Sequence, residues 1–170
     1  MSTQIKNLKF LVALLEANSM TKVELARIMG GNLTDAYGGG LGRLATDAVG
    51  VEGDDDYVPA KTAVAALVEG NATVTLNGSV VNGSVFGANN VNGTPQGHVK
   101  VHVLQTQKRA IPDTDPVQYE DFDVAAVYGG GNQADGKAGT FDIGCTGGDS
   151  EGIGDLFGGA REANITGDVA

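Results

Sequence analysis

Tryptophan is missing from this 170-residue chain, cysteine occurs once, and aromatic residues make up only 5% of it. A core without many large aromatic bodies has to be assembled from Val, Ala, Ile and Leu, which suits thin apolar layers better than one deep centre. The single cysteine, Cys145, excludes an intrachain disulfide and any multi-cysteine metal site, and reads as a buried, inert thiol. Positive charge is also scarce: 11 Lys and Arg stand against 21 Asp and Glu, a net charge of −10. Neutralising phosphates takes clustered basic side chains, so the balance argues against nucleic acid as a partner. No apolar run is long enough to predict a transmembrane segment, and no motif predicts a cofactor.

Glycine, by contrast, is abundant at 27 residues, and its placement is regular. An aromatic residue followed by small residues recurs as Tyr37-Gly38-Gly39-Gly40, Phe86-Gly87-Ala88-Asn89, Tyr128-Gly129-Gly130-Gly131 and Phe157-Gly158-Gly159-Ala160. Each copy follows a short strand-like stretch, as in Ser84-Val85-Phe86 and Ala126-Val127-Tyr128. Self-similarity on this scale marks stacked supersecondary units that bury their apolar faces against one another. Tyr37, Phe86, Tyr128 and Phe157 are therefore the structural repeat positions, expected to stack in a ladder. The predicted fold is all-β, a right-handed parallel β-solenoid of about five coils with a short N-terminal helical segment.

The domain division follows from a change of pattern near residue 30. In residues 1–30, Ile5, Leu8, Leu11, Val12 and Leu15 recur at helical spacing, and Thr21 is placed to cap a second helix before Gly30 and Gly31. This segment reads as a helical cap on the first coil or as a targeting segment, since Lys6 and Lys9 precede the short apolar run Phe10–Leu15. A third reading is the start of a winged-helix DNA-binding domain, against which the four glycines of the candidate recognition helix through Ala36–Gly42 weigh at about 1 kcal/mol each. Residues 31–170 form the glycine-rich repeat region. There His98-Val99-Lys100-Val101-His102-Val103 alternates polar with apolar, predicting a strand with the valines inward. Asn77-Gly78, Asn82-Gly83 and Asn92-Gly93 supply corners. Two excursions break the rhythm: Asp47–Leu67, expected to include a short helix at about residues 59–69, and Thr106–Asp123, expected to be a solvated loop.

The segments Asp35–Gly42, Val85–Val99 and Val124–Asn132 look like modules of very large, glycine-rich, adhesin-like surface proteins of Gram-negative gut anaerobes, a resemblance that covers residues 31–170. It implies a parallel β-solenoid, a secreted or cell-surface location and a structural or adhesin-like role, with no catalytic residues to carry over.

Chemical motifs elsewhere fail on geometry. Gly131–Ala138 nearly spells a phosphate-binding loop, yet Ala138 stands where the magnesium-binding hydroxyl belongs, and no helix is predicted to follow. Gly40-Leu41-Gly42-Arg43 fits a relaxed dinucleotide fingerprint but lacks a preceding apolar strand. His98 and His102 fall roughly 13 Å apart along a strand, too far for one ion. Asp54-Asp55-Asp56 and the carboxylates between Asp113 and Asp123 read as solvated loops, with calcium as the ion they would take. Six Asn-X-Ser/Thr sequences, at Asn32, Asn71, Asn77, Asn82, Asn92 and Asn164, read as turn architecture.

The expected function is a non-enzymatic surface or adhesin-like module presenting loops to a host protein or glycan. The alternative is a polysaccharide lyase or glycosidase on the same scaffold. The C-terminal end, from Glu162 to Ala170, is expected to self-associate or to continue into further modules, because an uncapped end leaves backbone groups free to pair.

Overall fold

The structure is a computed structural model and describes residues 32–137, 139–143 and 152–166. Its strands are β1 (Asn32–Leu33), β2 (Ala36–Tyr37), β3 (Ala72–Asn77), β4 (Val80–Val81), β5 (Ser84–Phe86) and β6 (Val99–Gln105). They are followed by β7 (Val124–Tyr128), β8 (Gly136–Lys137), β9 (Thr140–Ile143), β10 (Ile153–Phe157) and β11 (Ile165–Thr166). All pair in parallel. One sheet has the order β10-β7-β5-β2 and a second β3-β6-β9, while β1-β4 and β11-β8 are short pairs.

The two larger sheets share one apolar cluster. Ala36, Val85 and Val127 occupy one register column of the four-stranded sheet; Val74 and Val101, and Leu76 and Val103, pair in the three-stranded one. All seven are buried, with Leu33, Phe141 and Ile153 packed against them. In β6 the period-two pattern places Val99, Val101 and Val103 in the interior and leaves Lys100 and His102 half-exposed, as alternation along a pleated strand requires.

Two long segments leave the sheets and pair with themselves in antiparallel fashion. In the first arm, Arg43 bridges Val64, Thr46 bridges Lys61 and Val49 bridges Val58, each pair exchanging both backbone hydrogen bonds at 2.7–2.9 Å. The bridges recur every three residues, whereas the doubly bonded pairs of a regular antiparallel ladder recur every two. The second arm closes through Ala110 and Tyr119, flanked by Ile111 N–H to the Gln118 carbonyl and Glu120 N–H to the Arg109 carbonyl.

These features correct several expectations. The right-handed parallel β-solenoid with an N-terminal helical segment is not what the described residues show: they form small parallel sheets of at most four strands, with no helix among them. The physical reason is the length of the arms, which takes much of the chain between successive aromatic-glycine corners into local antiparallel pairing. Residues 1–30, whether cap, targeting segment or winged helix, lie outside the described residues, as does Cys145. The short helix expected near 59–69 is absent; Lys61 and Val64 are tied to the opposite arm strand and Ala66 N–H to the Asn92 carbonyl, so tertiary pairing overrides the helical preference of alanine. Thr106–Asp123 is a loop with no buried residue between its ends, as expected; the structure adds that its ends, Thr106 and Asp123, are buried and that Ala110 and Tyr119 bridge within it.

Candidate functional site

The structure brings Tyr37, Phe86, Tyr128 and Phe157 together in one column. Their ring centroids lie 4.9, 4.9 and 4.8 Å apart, with interplanar angles of 6°, 10° and 13°. The spacing has a direct cause: register-matched parallel strands lie about 4.8 Å apart, so identical side chains at one register position stack at that distance. Phe86, between two rings, is 1% exposed, whereas Phe157 at the end of the column is 44% exposed. Burial raises the pKa of the Tyr37 hydroxyl above its ordinary value, nearby Asp35 adds to the effect, and Arg161 opposes it.

The residue after Tyr37, Phe86 and Tyr128 is glycine because the next strand leaves no room for a side chain. A Cβ on Gly87 would lie 2.6 Å from the Gly129 carbonyl oxygen, one on Gly129 would lie 2.6 Å from the Gly158 oxygen, and one on Gly38 would meet the Gly87 oxygen. The ladder continues through this glycine corner, with Gly38 N–H donating to the Phe86 carbonyl, Gly87 N–H to Tyr128 and Gly129 N–H to Phe157, at 2.8–2.9 Å.

Beyond the glycines the corner is held by asparagines. Asn89 is fully buried; its Oδ1 accepts from Gly40 N–H at 3.0 Å and its Nδ2 donates to the Ala66 carbonyl at 3.2 Å, which fastens the root of the first arm. Asn132 Nδ2 donates to Asn90 Oδ1 at 3.0 Å, linking successive corners. Asn92 Nδ2 donates to the Arg43 carbonyl at 3.0 Å, a second tie to the arm. No turn or strand pattern marks these amides as anchors, although Asn89 and Asn132 fall three and four residues after an aromatic and so carry a repeat signal.

The second arm is rooted differently. Thr106 Oγ1 donates to Asp123 Oδ2 at 2.5 Å within the interior, and Asp123 Oδ2 also accepts from Gly152 N–H at 3.3 Å. Arg109 lies 3.8 Å from the Glu120 carboxylate, 5.3 Å over the Phe122 ring, and donates to the Asn82 carbonyl. Nothing in the sequence pattern marks Arg109: Glu120 and Phe122 lie across its own arm, and Asn82 comes from a distant segment.

Two surfaces remain open. A cavity of about 560 Å³ lies against β2 and β3, lined by Leu33, Tyr37, Gly38, Leu41, Thr73 and Val74 among others. The first arm and its root carry Leu41, Leu44, Val49, Val51, Val58, Val64 and Leu67, all exposed. Asp54, Asp55 and Asp56 sit at the tip of this arm, also exposed. Among the described residues no group of three His, Cys, Asp or Glu comes close enough to hold a metal ion. His102 stands in register with Thr75 and Asp142 on the outward side of β6, and His98 precedes the strand. Gly136-Lys137 of the phosphate-loop-like stretch forms β8. Of the three Asn-Gly corners, Gly78 and Gly93 have φ of +80° and +94°; Gly83 does not, and its N–H donates to the Thr34 carbonyl. Among the described residues no helix is long and apolar enough to cross a membrane.

No family model, curated protein or solved structure matches the chain.

Proposed function

We propose that the chain is a non-enzymatic interaction module, a stack of parallel sheets that presents its first arm to a protein or glycan partner at or outside the cell surface. The observation that carries this reading is the distribution of apolar side chains along the arm. Val49, Val51, Val58 and Val64 are 48–68% exposed, while valines of the sheets such as Val85, Val101, Val103, Val124 and Val127 are fully buried. Scattered exposed apolar residues are ordinary, but several exposed valines on one antiparallel arm, with Val49 and Val58 directly paired, fit a recognition surface. Its root is fixed by Asn89 and Asn92, so the arm is offered from a firm base, as binding loops on rigid scaffolds commonly are. The buried ionisable side chain Asp123 serves the frame, through Thr106 and the Gly152 amide.

The surface setting and the class of partner come from the resemblance of residues 31–170 to adhesin-like modules and belong to this proposal. It is tested by binding of the full chain to arrays of glycans and extracellular matrix proteins, followed by the double substitution Val49→Lys and Val51→Lys. Loss of binding with an unchanged melting curve supports the arm as the recognition surface. Binding that survives the substitution overturns that assignment, and turnover on a polysaccharide panel favours the carbohydrate-active alternative.

A further inference from the structure

Among the described residues, no further strand pairs with β2 or β10, the two ends of the four-stranded ladder. Its register columns run Tyr37, Phe86, Tyr128, Phe157 for the rings and Ala36, Val85, Val127, Leu156 for the neighbouring position. One residue earlier, the column runs Asp35, Ser84, Ala126, Asp155; Asp35 holds its place there by accepting the Ser84 N–H on Oδ1 at 2.8 Å. The β10 end exposes Leu156 and Phe157, at 51% and 44%. At the β2 end, the 560 Å³ cavity is lined by Ala36, Tyr37 and Gly38, of which Ala36 is buried and Tyr37 and Gly38 are half-buried. A strand laid on β10 with the same spacing would therefore set an aromatic ring on Phe157 and a small apolar residue on Leu156, and β2 supplies both, in that order.

We propose that β10 takes β2 of a second copy of this chain as its next parallel strand, Tyr37 on Phe157 and Ala36 on Leu156, extending the aromatic column from one copy into the next. The contact is head-to-tail, joining two different surfaces, so it propagates into open chains of copies instead of closing as a symmetric dimer. The same register sets Asp35 beside Asp155, one carboxylate against another in adjoining strands. Within the chain this column never places two charges side by side, because Ser84 and Ala126 intervene. Like charges directly opposite one another weaken a strand pair, so the aspartates hold the association down while ring and aliphatic contacts favour it. Arg161 and Glu162, which follow β10, lie 3.6 Å from each other.

The charge conflict makes the register testable without damaging the fold, since Asp155 is exposed and serine already occupies its column at Ser84. Sedimentation velocity over a concentration series compares the full-length wild type with Asp155→Ser, Asp155→Ser/Leu156→Lys and Asp155→Ser/Phe157→Lys. The expected result is concentration-dependent growth that tightens by about two- to fivefold on removing the charge and is abolished by either lysine, with circular dichroism spectra unchanged throughout. Two lysine variants are used because Phe157 also stacks on Tyr128, whereas Leu156 is the more exposed of the two. Equal behaviour of wild type and Asp155→Ser overturns the register. Association that persists with both lysines overturns the edge itself. Neither outcome depends on the arm being a recognition surface, which is read by ligand binding.

Discussion

Valine behaves in opposite ways in the sheets and in the first arm. Val85, Val101 and Val127 are sealed between two parallel sheets, where a two-residue period sends every second side chain inward and a neighbouring strand repeats the choice about 4.8 Å away. Val49, Val58 and Val64 sit at paired positions too, yet all stay exposed, because their ribbon closes every third residue and, among the described residues, no second sheet packs against it. Hydrogen bonding alone does not make an interior. A second sheet at matching register does.

Substitutions in the two regions sharpen this difference. The largest effect is expected at Val101, fully buried and in register with Val74 and Phe141: Val101→Asp strands a charge in the core and is expected to cost at least about 4 kcal/mol, read by denaturant unfolding. Phe86→Ala removes the middle of the aromatic column and is expected to cost about 3–5 kcal/mol, accompanied by loss of near-ultraviolet signal. Gly87→Ala is smaller in atoms but meets the Gly129 carbonyl oxygen and Val99, and overpacking of this kind costs about 1–3 kcal/mol. At the bottom of the scale, Val49→Ser on the arm is expected to change stability by no more than about 0.5 kcal/mol. A cost for Val49→Ser as large as that for Gly87→Ala would show that the arm packs against something and would break the contrast.

Asp123 tests the root of the second arm. Thr106→Val removes the hydroxyl that donates to its buried carboxylate, a loss expected to cost about 1.5–3 kcal/mol. Amide hydrogen exchange should locate the loosening at Gly152 and in the 106–123 arm, leaving the Asn89 corner protected.

Much of the sheet stack was legible because its rules are local and periodic. Alternation from Val99 to Val103 identifies the buried face of a strand, since successive side chains must point to opposite sides. The aromatic-glycine repeat names four side chains that the structure stacks, because equal sequence context at equal register yields equal position. The arms were legible only as interruptions of the repeat, at Asp47–Leu67 and Thr106–Asp123; their antiparallel pairing was not. Ala63-Val64-Ala65-Ala66-Leu67 has the composition of a helix, and only the opposite strand at Arg43 and Thr46, together with the Asn92 carbonyl, decides otherwise.

The sequence by itself determined which residues alternate, where glycine must follow a ring and that the chain is acidic and built from valine, since these are properties of composition and short-range spacing. Tertiary structure alone decided the rest: that Asn89 fastens an arm rooted 23 residues away, that Arg109 gathers Asn82, Glu120 and Phe122, and that the apolar residues of one arm stay outside. Each depends on which distant segment lies alongside, and a parallel sheet brings together strands whose separation along the chain is set by the intervening arms, not by any local signal.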